Sequence, residues 1–279
     1  VVKANRLPVP GETVLGGTFY MNPGGKGANQ AIAASRLGAE VTFISKIGYD
    51  LFGLQALEIY KSEKINTEFI FTDQKSPSGV ALISVDSFGE NSIIVAPGAS
   101  RSLSIEDINK AEEKIREADI ILMQLEVPIE TAEYAATIAN KYNKKVILNP
   151  APASTLSNAF LRNIHTILPN RIEAEMLSGI KVMDIESAHR AAKTIGDKGI
   201  ENVVITLGKD GAYVKEKDKY AMIPAKQVPT IDTTGAGDVF CGAFSVCLSE
   251  KHSLTEAVEF ANAAAAIAVT RIGAQSAIP

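Results

Sequence analysis

The sequence predicts an α/β fold: a mainly parallel sheet covered by helices on both faces, with a small antiparallel sheet set beside it. Two observations carry this. From Val41 onward, short β-branched runs alternate with amphipathic helical stretches, the pattern of a parallel sheet with helical crossovers. Two other segments, Glu12 to Met21 and Ser78 to Ala96, instead alternate apolar and polar residues with no helix between their turns.

In chain order, Glu12 to Met21 reads as an antiparallel strand region. Val41 to Ser45 is the first buried strand, and Ser78 to Ala96 returns to the antiparallel pattern. A βα unit separates the two antiparallel segments, so they read as a lid over a site or as an edge extension of the main sheet. Ile105 to Ala118 carries apolar residues three and four apart and is expected to be a helix. Ile120 to Leu125 follows as a strand, Ile129 to Tyr142 as a helix, and Lys145 to Asn149 and Thr166 to Pro169 as strands. Then come helix Ile185 to Lys198, strand Val203 to Leu207 and helix Leu254 to Thr270. The strands are near-continuous apolar runs, as expected where both faces of a sheet are covered. No Pro/Ser-rich linker, charge run or repeat divides the chain, so residues 1–279 are expected to form one domain with a lid.

The formal charge is −4, from 28 Lys and Arg against 32 Asp and Glu, and supplies no field for holding nucleic acid or an anionic membrane. Small-molecule partners are expected. No apolar run approaches the roughly 20 residues that span a bilayer. Cys241 and Cys247, six apart in one apolar helical segment, would face different ways and cannot pair within it. With three scattered histidines and no CxxC, no zinc cage assembles from spacing, and a reducing cytoplasm is the expected setting.

Two Gly-rich turns carry the chemistry. In Ile231 to Phe244, IDTTGAGDVFCGAF, Gly235, Ala236 and Gly237 open an apolar helix, aiming unpaired N–H groups and the positive end of the helix dipole at one place. Asp238, in the first turn, either favours the helix N-terminus or serves as base for an attacking hydroxyl. In Asn22 to Ala34, NPGGKGANQAIAA, a Walker loop would need Gly at Tyr20 and Ser or Thr at Gly27, and a dinucleotide fingerprint fails at Gln30. Gly25, Lys26 and Asn29 there suit a polyol, or form a flexible turn with a solvated Lys.

Further polar residues end predicted strands, where parallel sheets place ligands. They are Gln124 and Glu126, Asn149 to Pro152, Asn170 with Glu173, and Thr206 with Gly208. Asn170 and Glu173 are also spaced as a helix capping box, and Lys209 to Gly211 is good turn sequence.

Taken in order, GGKGANQA, MQLE, NPAP, DTTGAGDVFCGAF and AAAAIAVTRIGAQ resemble the PfkB carbohydrate kinases, and most closely their ribokinase branch, over essentially the whole chain. The resemblance implies a ribokinase-like three-layer αβα sandwich with a β-lid, acting as an ATP-dependent kinase on D-ribose at O5. It makes Asp238 the base and the N–H groups of Gly235, Ala236 and Gly237 the anion hole. It gives Gly25, Lys26, Asn29 and Glu126 to the sugar, and Asn170, Thr206, Gly208, Gly237 and Asn262 to the nucleotide. Glu173 would act indirectly through magnesium. Asp232 and Thr234, with Ala268, Arg271 and Gly273, would hold a monovalent cation, potassium. A homodimer formed through the lid is also implied.

Three departures stand out. The family's first strand, with its NxD motif, would lie before Val1, its last helix would lie beyond Pro279, and Ala277 occupies a position where ribokinases often have a cation-site Ser. Rival activities are kinases for fructose, deoxyribose or adenosine, and a sugar-binding relative without catalysis.

Overall fold

The computed structural model describes residues 1–87 and 91–279. Strands β1 (Val2–Lys3) and β2 (Thr18–Phe19) lead to helix α1 (Lys26–Arg36). Strand β3 (Ser45–Gly48), helix α2 (Leu51–Ser62) and strand β4 (Ile70–Asp73) make a parallel crossover. Strands β5 (Val80–Val85) and β6 (Asn91–Ala96) follow, then helices α3 (Ile105–Lys110) and α4 (Glu112–Glu117). The next stretch holds β7 (Ile120–Met123), α5 (Ile129–Lys141), β8 (Lys145–Leu148), α6 (Asn158–Leu161) and β9 (Thr166–Ile167). Helices α7 (Arg171–Ser178) and α8 (Ile185–Gly196) precede strands β10 (Asn202–Thr206), β11 (Ala212–Glu216) and β12 (Lys219–Ile223). Helices α9 (Ala236–Ser249) and α10 (Leu254–Ala268) complete the order.

The central sheet runs β12-β11-β10-β9-β8-β7, parallel from β10 to β7 and antiparallel at the β10-β11-β12 end. Its side chains alternate between two cores, the period of two that a strand imposes. Val146, Leu148, Val203 and Ile205 pack with Ala135 and Ile138 of α5 and with Ala191 and Ile195 of α8. Ile147, Val204, Ala212 and Val214 pack on the other face with Ile32 of α1, Phe240 and Phe244 of α9, and Val258 of α10. Both sheet faces are therefore covered, which is why the strand sequences are apolar throughout and the molecule has three layers. Phe160 and Phe244 are the largest fully buried side chains, one in each core. Burying each contributes ~1.5–3 kcal/mol. Local signals set the helix starts: Asp184 with Ser187 and Ser253 with Glu256 form reciprocal capping boxes at α8 and α10.

Several expected boundaries shift. Val41–Ser45 is not the first strand of the central sheet: pairing begins at Ser45, in register with Ile70, and Thr42 makes only an isolated bridge to Asn66. The expected helix 105–118 is two helices, because Ala111 leaves helical geometry at φ −96°, ψ 2°. The 12–21 segment contributes only Thr18–Phe19. Gly11, Gly16 and Gly17 before it hold positive φ, and at Gly17 a Cβ would strike the carbonyl of Lys3. Val2–Lys3, not anticipated, takes the middle of the lid sheet, whose order is β2-β1-β5-β6. The 78–96 segment supplies β5 and β6, and residues 88–90 within it lie outside the described residues. Cys241 and Cys247 are both free and buried. Among the described residues no helix is long and apolar enough to cross a membrane.

One interruption matters for the site. Among the described residues, strands β3 and β4 pair only with each other, and β7 ends the central sheet. Phe43, Ser45 and Ile47 on one side and Ile120, Leu122 and Gln124 on the other line a single cavity of about 2700 Å³ that continues beneath the lid strands.

Candidate active site

The C-terminal ends of β7, β8 and β9 and the N-terminal ends of α1, α7 and α9 converge on one region. A cavity of about 120 Å³ there is lined by Lys26, Asn149, Asn170, Glu173, Thr206, Gly235, Gly237 and Asp238, with Ala151, Leu168 and Cys241 in its wall. Seven of the residues given a role in the sequence, all of these but Asn149, thus meet around one space.

Gly235 caps α9 in the left-handed region, φ 76°, ψ 0°, a conformation that suits glycine. The N–H of Ala236 donates to Thr233 O at 3.2 Å, so it is not free for the anion hole expected of Gly235, Ala236 and Gly237 together. The N–H groups of Gly235 and Gly237 have no partner among the described residues. A Cβ on Gly237 would meet nothing within 4 Å, so its backbone is open to a ligand. Asp238 is 7% exposed, and both of its oxygens are held. Asn29 Nδ2 donates to Oδ2 at 2.8 Å and Gln30 Nε2 to Oδ1 at 3.0 Å, joining α1 to α9 across the site.

The turn before α1 is fixed from the opposite wall. Gly25 holds φ 100° as the cap of α1, and the Lys26 N–H donates to Glu126 Oε2 at 2.8 Å. Burial pushes the Glu126 carboxyl above its usual range, against the pull of that N–H and of the Lys26 ammonium. Asn29 Oδ1 is buried without a hydrogen-bond partner, a donor-seeking atom beside Asp238.

Both readings of Asn170 and Glu173 hold at once. Asn170 Oδ1 accepts the Glu173 N–H at 2.9 Å and Glu173 Oε2 accepts the Asn170 N–H at 2.8 Å, a complete capping box. The same two residues line the cavity. Burial raises the Glu173 carboxyl, partly offset by the Asn170 N–H and by Lys26. Burial also pushes the Cys241 thiol well up, which keeps it neutral and makes it inert wall.

A second cluster lies behind the α9 turn. Asp232 Oδ1 accepts from the Thr234 N–H at 2.9 Å and from Thr234 Oγ1 at 2.7 Å, and Oδ2 accepts from the Gly273 N–H at 2.9 Å. Burial works to raise this carboxyl, but those hydrogen bonds outweigh it and hold it below the usual carboxylate range. Val269 O takes the N–H groups of Ile231 and Asp232, and Ala268 O takes that of Arg271. The 268–273 loop is therefore laced to the 231–234 segment. Ala277 is buried and brings no side-chain oxygen, while Ser276 Oγ donates to Ile272 O at 2.9 Å. No group of three or more His, Cys, Asp or Glu among the described residues is placed to hold a metal ion.

Gly208 and Asn262 lie outside the 120 Å³ cavity. Gly208, at φ 65°, opens the turn that sends β10 into β11, and the Asn262 amide donates to Ile223 O and Pro224 O, both at 3.4 Å. Gln30 was missed in the sequence, and Gln124 and Asn149 were noticed only as strand ends. Gln30 Nε2 also donates to Asn149 Oδ1, and Gln30 Oε1 accepts from Gln124 Nε2. The available signal was two amides at the ends of adjacent strands and a third following Asn29 in the helix facing them.

The arrangement offers a buried carboxylate beside unpaired N–H donors, which suits proton removal from a hydroxyl next to a developing negative charge. Comparisons with known proteins place the chain in a family. The sequence profile described as "pfkB family carbohydrate kinase" matches residues 2–279. Ribokinase of Haemophilus influenzae is 48% identical over 279 residues, covering all of this chain and 91% of the relative. Deoxyribokinase of Salmonella typhi is 36% identical and is covered to 92%. The structure of Arabidopsis thaliana ribokinase complexed with ribose and ATP superposes with a TM-score of 0.91, at 30% identity, covering all of this chain and 91% of that one.

Proposed function

The chain belongs to the pfkB family of carbohydrate kinases, and from that premise we propose that it transfers the γ-phosphoryl group of ATP to O5 of D-ribose, giving ribose 5-phosphate and ADP. One observation carries the reading: the Asp238 carboxylate, buried and held between Asn29 and Gln30, adjoins the unpaired N–H groups of Gly235 and Gly237.

Asp238 takes the proton of the attacking hydroxyl as the new O–P bond forms and the bond to the β-phosphate oxygen breaks, with ADP as leaving group. The N–H groups of Gly235 and Gly237 stabilise charge on the transferred phosphoryl, at the positive end of α9. Gly25, Lys26, Asn29 and Glu126 position the sugar. Glu126 has one oxygen on the Lys26 N–H, and the unpartnered Asn29 Oδ1 is an acceptor for a sugar hydroxyl. Asn170, Thr206, Gly208, Gly237 and Asn262 serve the nucleotide. Magnesium carried by ATP would supply further neutralisation of phosphate charge, with Glu173 beside it.

Potassium as activator rests on the second cluster: a carboxylate kept charged and a carbonyl-rich loop folded against it form a hard-oxygen donor set. Asp232, Thr234 and the backbone at Ala268, Arg271 and Gly273 would hold the ion. Leu15 and Phe19 beside and on β2, Leu82 on β5 and Val95 on β6 are each more than 60% exposed. They give the lid the apolar surface for a homodimer in the cytoplasm, and a monomer by light scattering would remove that assembly.

The activity is tested with ATP and magnesium in potassium buffer against ribose, deoxyribose, fructose and adenosine. Ribose is expected to have the highest kcat/KM. Preference for deoxyribose, the substrate in the name of the Salmonella relative, would replace the proposed substrate while leaving the kinase. Exchanging potassium for sodium is expected to lower the rate several-fold, and equal rates would remove the cation site.

A further inference from the structure

We infer that Gln30 is the positioning residue of the phosphoryl-transfer site, fixing the aim of the Asp238 carboxylate from behind. Its side chain is 1% exposed; it borders the 2700 Å³ cavity but does not line the 120 Å³ one, and with both amide N–H groups and its oxygen already bonded to protein groups it acts through Asp238 and not on a ligand.

Both N–H groups and the oxygen of the amide are engaged. Nε2 donates to Asp238 Oδ1 at 3.0 Å and to Asn149 Oδ1 at 3.1 Å, and Oε1 accepts from Gln124 Nε2. Asn149 is anchored in turn by its Nδ2 on Leu168 O at 3.0 Å. These bonds dictate which end of the amide faces Asp238. Turned over, Gln30 would set its oxygen against a carboxylate and against the Asn149 oxygen, and its NH₂ against that of Gln124. The ends of β7 and β8 therefore define the orientation of a side chain on α1, which defines the rotation of a carboxylate on α9. Asn29 holds only the other carboxylate oxygen. Without Gln30 the carboxylate can pivot about that single bond, and small misplacements of a reacting group cost large factors in rate.

The inference rests on the reading of Asp238 as base, and the experiment separates the two. Gln30→Met keeps the length of the side chain and removes its donors. It is expected to lower kcat by roughly 10–100-fold, with KM for ribose and for ATP within about twofold of the parent. A folded Gln30→Met protein with parental kcat overturns the inference, because a purely structural amide would change the melting temperature and spare the rate. Should that variant not fold, Gln124→Met removes only the group that orients the amide and is expected to cost kcat a smaller factor at unchanged KM; a parental kcat overturns the inference there. Where both single variants fold, the double variant should be no slower than Gln30→Met, and independent, multiplying losses overturn the chain of command. The bond itself is read without turnover. The side-chain amide resonances of ¹⁵N-labelled Gln30 should move on Asp238→Asn, and no movement overturns the inference even in an inactive protein. An Asp238→Asn enzyme at the parental rate sinks the base assignment and the positioning role with it, while a moved resonance would still report the bond.

Discussion

Asp238→Ala is expected to lower kcat by roughly 10²–10⁴-fold, the usual worth of a positioned general base, while the protein remains folded. The fold is expected to survive because Asp238 sits in the first turn of α9, where losing a favourable buried charge costs up to ~2 kcal/mol. Freeing the amides of Asn29 and Gln30 adds about 1–3 kcal/mol for each buried donor left without a partner. Circular dichroism melting separates that penalty from the rate, and steady-state kinetics with ribose and ATP reads the rate. A folded Asp238→Ala protein turning over near the parental rate would overturn the assignment.

Gly242→Val is expected to remove nearly all activity and to lower the melting temperature by several degrees. Gly242 lies on α9 where it crosses α1, and a Cβ there would meet Ala33 Cβ at 2.7 Å, Gln30 O at 2.8 Å and Ala34 N at 3.2 Å. Two of those atoms are backbone of α1, so the helices must part. Overpacking of this kind costs about 1–3 kcal/mol and can cost more. The damage to activity is geometric: parting α1 from α9 stretches the 2.8 Å and 3.0 Å bonds from Asn29 and Gln30 to Asp238. Gly242→Ala should do the same in smaller measure. Parental kcat in a stable Gly242→Val protein would mean that the helix crossing does not set the site.

The buried strands were legible because covering both faces of a sheet demands uninterrupted apolar sequence, as in Val203 to Leu207 and Lys145 to Asn149. The lid was harder to read. Alternation between Glu12 and Met21 looks like a strand, yet whether it pairs depends on a partner, Val2–Lys3, that is too short to carry a pattern. At the site, Lys26, Asn170, Glu173, Thr206, Gly235, Gly237 and Asp238 stood out by residue type and by position at strand or helix ends, and they surround one cavity. Gln30 did not stand out, because glutamine is an ordinary helix former and its task is set by a residue 208 positions later. Ala236 shows the opposite limit: a Gly-rich turn advertises free N–H groups, but only the local turn decides which of them is already spent.

The bond between Asn29 and Asp238 joins residues 209 positions apart. At a synthesis rate of about 5–20 residues per second, α1 emerges roughly 10–40 s before the helix it must pack against. During that interval Ala28, Ala31, Ile32 and Ala33 lack the α9 side of their core, and contacts this distant in sequence are slow to form. The nascent chain thus carries a sticky, half-finished helix face until α9 has been made, and the Asn29–Asp238 pairing at the proposed site cannot assemble before then.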